Sequence, residues 1–373
     1  MNVIYLERVN GLDLKMATLE KRTVLELKRL YITAARKCDL ISAINTSFQD
    51  KSIFQRVPIN KKNFNIISID MGIRNFSYAR LQLDKTLPLN RPPIIKEWTK
   101  FDVNNWADVS RDASYEPTRY AHISHRIINE IIFDSNYGSP DLILIERQRI
   151  RSGKSKNVLE WVFRVNMFES MLHALIYSKT QTEKLVSDTM IIPSSPLKMG
   201  KFWEPSSDGK LKNKDSKKFR LILVENWLKN YVNGPSPDIP FAISPGLIDF
   251  KELNATKSKT KWLFQTIMKN SRFNIEPKDP QAAKDVQKGD DLTDSLLHSL
   301  AWLKWEKQKM ILKMEFRESV EAAMKTSEDM YESHVKEMDR ILKKSEIKPE
   351  IADKPKKKPR KTKTRKSSTE KTD

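Results

Sequence analysis

The chain has 373 residues, enough to bury one large core and carry further segments, with two domains the prior for this length. Lys plus Arg number 68 against 48 Asp plus Glu, a formal net charge of +20 that suits nucleic acid or an anionic membrane surface. The single cysteine, Cys38, excludes an intrachain disulfide and a multi-cysteine zinc site, and no run reaches the roughly 18 to 20 apolar residues of a membrane span.

Much of the positive charge is local. Residues 354–366 (KPKKKPRKTKTRK) hold nine Lys/Arg and no acid, so about half of the excess sits in one tail. Residues 1–60 read as short helices, with Val24, Leu27, Leu30, Tyr31 and Ala34 at the 3.6-residue period. No secretory apolar region opens the chain. The basic stretch Met16 to Lys37 reads either as an import signal or as a solvent-facing helix.

At residue 64 the pattern changes. Phe64 to Asp70 (FNIISID) is a short apolar run ending before Gly72 and predicts a buried strand. Asn75 to Leu83 and Ile94 to Val103 alternate, so three strands in succession predict an antiparallel meander. Pro117 opens a helix to about Phe133, and Pro140 to Glu146 (PDLILIE) contains a second, almost wholly apolar strand. A helix over Lys156–Ser178, a strand over Lys184–Ile192, and helices over Ser216–Val232 and Ser258–Met268 follow. Asp290 to Lys313 predicts a helix with Leu292, Leu296, Leu297, Leu300 and Leu303 inside. The expected organisation is a helical segment at 1–60, an α/β domain with a mixed sheet at 61–310, a charged helical extension at 311–347, and a disordered Lys-rich tail at 348–373.

The acids fall at the ends of these elements. Asp70 ends the first strand and Glu146 ends the fourth. If the two strands are parallel neighbours, both carboxylates leave the same sheet edge. Burying lone charges there costs several kcal/mol unless a cation offsets it, which suits a hard divalent ion with oxygen ligands. In GDDLTDSLLHSLAW (289–302), Asp290 and Asp294 lie at i,i+4 and Asp291 and Asp294 at i,i+3. Either pair shares a helix face, whereas Asp290 and Asp291 point about 100° apart. Capping of the helix start explains one of these acids, but not Asp294. Together the acids suit a two-metal phosphodiesterase site with ions about 4 Å apart.

IDMGIRNF (69–76), IERQRIR (145–151) and DDLTDSLLHSLAW (290–302) resemble the three motifs of the fungal mitochondrial Holliday-junction resolvases, relatives of bacterial RuvC in the RNase H-like superfamily. SSPLKMGKFW (194–203) is similar to a fourth segment of that family. The resemblance covers about residues 60 to 310. It implies an RNase H-like fold, a homodimer, and Mg²⁺-dependent paired nicking of four-way DNA, with Mn²⁺ an alternative and no small-molecule cofactor. It further implies metal ligation by Asp70, Glu146, Asp290 and Asp294, with Asp291 the alternative to Asp290. The implied compartment is the mitochondrion, while the Lys-rich tail, outside the family pattern, leaves the nucleus open.

Arg74, Arg147, Gln148, Arg149, Arg151, Lys154 and Lys156 are expected to grip DNA beside the acids. Met199, Lys201, Phe202 and Trp203 suit either stacking on unpaired bases or core packing. His298, four residues after Asp294, reads either as an aid to proton transfer or as a packed helix histidine.

Overall fold

In the computed structural model, residues 61–84, 91–110, 113–149, 159–205, 211–232, 239–245, 247, 266, 273, 289–345 and 347 are described. The expected helices within 1–60 and 258–268 and the tail beyond 347 lie outside these residues, apart from Thr266.

A six-stranded sheet organises the chain, in the order β5-β4-β1-β2-β3-β6. The strands are β1 (Asn63–Asp70), β2 (Phe76–Asp84), β3 (Ile94–Phe101), β4 (Leu142–Glu146), β5 (Met190–Ser194) and β6 (Ala242–Ile243). β1, β2 and β3 form the expected antiparallel meander. β4 lies parallel to β1 on the other side, β5 parallel to β4, and β6 parallel to β3. The helices are α1 (Val103–Trp106), α2 (Pro117–Ile127), α3 (Glu160–Thr182), α4 (Pro196–Phe202), α5 (Asn213–Val232), α6 (Asp290–Glu318) and α7 (Val320–Lys343). α2 runs on as a π-helical turn, Ile128–Ile132. No helix among the described residues is long and apolar enough to cross a membrane.

β1 is central and buried on both faces after Asn63, which explains its nearly continuous apolar sequence. Its period of two divides the interior into two layers. Ile67, Ile69, Ile143 and Ile145 face one way, onto Ile123 and Ile127 of α2 and Phe168 and Leu172 of α3. Phe64, Ile66, Leu142 and Leu144 face the other way, onto Leu296, Leu297 and Leu300 of α6. Emptying one such position, as in Leu296→Ala, costs about 2–5 kcal/mol by the lost burial and the cavity left behind.

The helical sequence beyond residue 310, expected as an extension, packs on this second layer. α6 continues to Glu318, Ser319 caps α7 by accepting from the Ala322 amide, and Met338, Ile341 and Leu342 join the same core as Leu297. His334 fastens the turn of chain after α4: its Nε2 meets the Phe202 carbonyl at 2.6 Å and its ring stacks on Phe202 at 4.4 Å. The strand expected over Lys184–Ile192 is shorter and later, because Lys184–Val186 forms a 3₁₀ turn and pairing begins only at Met190.

A bulge in β3 sets the phase of that strand. Arg80 pairs with Glu97 and Leu81 with Ile95, so Lys96 is the extra residue. Ile95, Trp98 and Lys100 therefore all point to the α6 side, although Ile95 and Trp98 are three residues apart.

Candidate active site

The alternation that builds the α6-facing layer also carries its polar ends. Phe64, Ile66, Ser68 and Asp70 follow one another along one face of β1, and Leu142, Leu144 and Glu146 along β4. Ile69 pairs with Ile145, so Asp70 and Glu146 leave neighbouring parallel strands side by side. Their carboxyls are in hydrogen-bonding contact, and Asp70 is 8 % exposed. Burial and the neighbouring Glu146 charge push Asp70 well above the usual carboxylate range. Burial also opposes charge on Glu146, but His298, Asp70 and Arg220 outweigh it and hold Glu146 down to about 2. Two carboxyls this close and this buried oppose one another's ionisation, and Asp70 bears the cost.

α6 begins over this pair. Gly289 supplies no side-chain cap, and Asp290 and Asp291 occupy the first turn, where the helix dipole favours acids. β2 and β3 fix the helix start: Ser77 Oγ donates to the Asp291 carbonyl at 2.7 Å and Trp98 Nε1 to the Leu292 carbonyl at 2.7 Å. The three acids then diverge. Asp290 turns to Lys217 Nζ at 2.9 Å, Asp291 to Lys100 Nζ at 2.7 Å, and Asp294 to the guanidinium of Arg220. Asp291 and Asp294 add to the field on Asp70, whereas the Asp290 carboxylate is paired with Lys217. Burial lifts Asp291, with Asp290 adding to it; the Lys217 ammonium overrides burial at Asp290 and lowers it.

His298, one turn beyond Asp294, is fully buried. Its Nδ1 lies 2.6 Å from Ser194 Oγ, at the end of β5 and in register with Glu146. Its Nε2 stands 3.6 Å from Glu146 Oε2, close enough for electrostatic attraction but too long for a hydrogen bond.

The expected DNA-binding residues divide between described and undescribed segments. Arg74 is exposed in the turn after β1; a Cβ on neighbouring Gly72 would press on the Asn75 carbonyl oxygen at 3.1 Å, which is why that tight turn takes glycine. Arg147 and Arg149 are exposed directly after Glu146, with the Arg147 amide tied to the Ser194 carbonyl and the Gln148 amide to Glu169. Arg151, Lys154 and Lys156 lie outside the described residues. Phe202 and Trp203 are core residues: Trp203 is 1 % exposed and donates Nε1–H to the Leu297 carbonyl.

Three functional-site residues were not legible beforehand as such: Lys100, Lys217 and Arg220. Arg220 had a signal, being a lone arginine on the apolar stripe Ser216, Arg220, Leu223, Val224 and Trp227.

Oxygen donors on two adjacent strand ends and one helix start form a hard-ligand set suited to a divalent cation. Among the described residues, no three His, Cys, Asp or Glu side chains are gathered closely enough to hold one as they stand. Two carboxyls set side by side on adjacent parallel strand ends, with Asp70 buried, are nevertheless more negative charge than such a place holds comfortably without a cation, so the donor chemistry fits the ion.

A meander followed by two parallel strands, with acids at the ends of the first and fourth strands and on a helix laid across them, defines an α/β domain of the RNase H-like class. Residues 66–312 match the model of the family described as mitochondrial resolvase Ydc2 / RNA splicing MRS1, and the chain belongs to that family. It is similar to the mitochondrial cruciform cutting endonuclease 1 of Saccharomyces cerevisiae, 28 % identical over 300 residues, covering 76 % of this chain and 77 % of that protein. It is also 28 % identical over 247 residues to the Schizosaccharomyces pombe protein of the same name, covering 65 % and 79 %. Among solved structures, the yeast mitochondrial Holliday junction resolvase Ydc2 is similar at TM-score 0.47 and 22 % identity, covering 80 % of this chain and 96 % of that one.

Proposed function

We propose that this protein is a mitochondrial endonuclease that resolves four-way DNA junctions by metal-dependent hydrolysis at the Asp70–Glu146 site. The observation that carries this reading is the juxtaposition of two buried carboxyls on parallel strands beneath the acids of α6. Family membership gives it context, since both relatives bear the name of cruciform-cutting mitochondrial endonucleases.

In this reading Asp70 and Glu146 are the central ligands, with Asp294 and Asp291 completing the set; Asp291 replaces Asp290, which faces away towards Lys217. These residues would hold two Mg²⁺ ions, with Mn²⁺ as substitute, which would supply Lewis acidity for phosphodiester hydrolysis. Ser194 and His298 fix the Glu146 side of the site. Arg74, Arg147, Gln148 and Arg149 hold the flanking phosphates from the same sheet edge, and the cationic side chains of Arg151, Lys154 and Lys156, close behind in sequence, add to that grip. Two copies related by a two-fold axis would match the symmetry of a four-way junction and nick opposed strands.

The family description also covers an RNA splicing protein, which favours a second reading as a noncatalytic nucleic-acid binder. Buried, mutually repelling carboxyls argue for hydrolysis, because a binder gains nothing from their cost. The deciding experiment incubates the full chain with a mobile four-way junction, a duplex and an RNA–DNA hybrid, with and without Mg²⁺. Paired nicks in the junction alone, dependent on Mg²⁺ and lost in Asp70→Asn, are expected. Equal cutting of the hybrid, or full activity of Asp70→Asn, overturns the proposal.

A further inference from the structure

Asp294 is the acid in the site whose two oxygens are both taken by one cation. Arg220 on α5 donates Nε–H to Oδ1 at 2.7 Å and Nη2–H to Oδ2 at 2.8 Å. A forked guanidinium of this kind occupies the in-plane lone pairs that a carboxylate offers most readily to a metal ion. The other two helix acids also face ammonium groups, Lys217 at Asp290 and Lys100 at Asp291. The α6 acids are therefore matched one for one by cations of the protein itself.

The three cations differ in their freedom to leave. The Lys100 side chain is 1 % exposed on β3, enclosed by the sheet and α6. Lys217 is 55 % exposed and only screens Asp290 from solvent. Arg220 stands between them. Its side chain is buried, but Nη1 also meets Ser216 Oγ at 3.2 Å, and Ser216 in turn reaches Glu204 at 3.1 Å. Glu204 adds to the field that keeps the guanidinium charged. A second anion thus waits within the same network for a guanidinium that lets go of Asp294.

We infer that Arg220 is an exchangeable counter-ion: it neutralises Asp294 while no metal is bound, and releases that carboxylate to a divalent cation as it turns to a DNA backbone phosphate. The inference rests on the metal-site reading given above. A divalent cation entering while Arg220 stays on Asp294 meets a carboxylate already neutralised. A phosphate oxygen beside the site offers the guanidinium an equivalent forked partner and removes that conflict. Metal loading and DNA docking then favour one another, because each withdraws the competitor of the other.

The test measures Mn²⁺ binding to the full chain without DNA, by titration followed with electron paramagnetic resonance, alongside single-turnover cleavage of a four-way junction. Arg220→Gln keeps a polar, hydrogen-bonding side chain but removes its charge, so Mn²⁺ should bind about fivefold tighter or more. Cleavage at saturating Mn²⁺ should nevertheless fall at least tenfold, since the phosphate loses its partner. Arg220→Lys, which keeps the charge without the fork, should lie between wild type and Arg220→Gln in Mn²⁺ affinity; it carries the test if circular dichroism shows Arg220→Gln misfolded. Unchanged or weaker Mn²⁺ binding in the folded variant overturns the inference, leaving Arg220 a fixed brace for Asp294. Asp70→Asn is the control. If it binds Mn²⁺ as wild type does, the metal site itself is wrong and the inference falls with it; if it does not, the Arg220 variants decide the inference alone.

Discussion

Ser194 and His298 meet at 2.6 Å, Oγ against Nδ1, across the gap between the end of β5 and the third turn of α6. The contact fixes the imidazole plane so that Nε2 faces Glu146, 3.6 Å away. His298 is fully buried, so it acts through Glu146 as a positioning residue.

Replacing His298 by Gln should lower the single-turnover cleavage rate about tenfold or more while leaving junction affinity within about twofold, as for other groups that orient a ligating side chain. Ser194→Ala should produce part of the same loss, and the double variant should be no worse than His298→Gln alone. Rapid-quench cleavage and equilibrium binding of the three variants and wild type check this. Additive losses would show that the two residues act separately.

Asp70 gives the site a measurable stability cost. Its folded-state pKa lies well above its unfolded value, so the folded chain binds the proton more tightly. Stability from this group is present at low pH and is lost as pH rises from the unfolded value, about 3.9, through the folded one. Asp70→Asn removes that loss, so in chelator at pH 7 it should melt a few degrees above wild type, with the gap closing near pH 3.5. Added Mg²⁺ should raise the wild-type Tm and leave the variant unmoved, while cleavage is abolished. A lower Tm for the variant in chelator contradicts this account.

His334 predicts the opposite pH behaviour far from the acids. Burial, with help from the Lys304 ammonium, lowers it from 6.5 to about 4. Its neutral ring touches Lys304 Nζ at 2.9 Å and the Phe202 carbonyl at 2.6 Å. The unfolded chain takes up the proton first, so stability is full above about 6.5 and is lost as pH falls towards 4. At about 1.4 kcal/mol per unit the loss is about 3 kcal/mol. Urea unfolding at pH 7 and pH 4.5 should show wild type losing more stability than His334→Gln. Equal losses in the two proteins would place the pH sensitivity elsewhere.

Arg147 and Arg149 project from the edge that carries Glu146. Each arginine replaced by Ala should weaken binding to junctions of any sequence to a similar degree and reduce the slope of log affinity against log salt by about one. Fluorescence anisotropy over a salt series measures this. An unchanged slope means that the side chain does not meet a phosphate.

The meeting of Asp70 with Glu146 was readable in the sequence because both terminate apolar runs, and an apolar run that ends in an acid has few explanations. The choice between Asp290 and Asp291 was not readable, since spacing fixes which residues share a helix face but not how the helix is rotated over its sheet. Ser77 and Trp98, bonding to the carbonyls of Asp291 and Leu292, set that rotation here. Lys100 was hidden by the Lys96 bulge, because strict alternation from Ile95 would have placed both Trp98 and Lys100 on the opposite face. Arg220 was hidden by distance, its partner Asp294 lying 74 residues further on. Phe202 and Trp203 admitted two readings by composition, and burial decided for the core.

The long reach of the contacts under α6 has a biological consequence. Ser77 and Lys100 bond to Asp291 across 214 and 191 residues, and Ser194 meets His298 across 104. The meander and the parallel strands can therefore form before the last third of the chain docks, and a chain at that stage holds only two of its acids. A nuclease assembled in this order is incomplete until its final helices close over the strand ends.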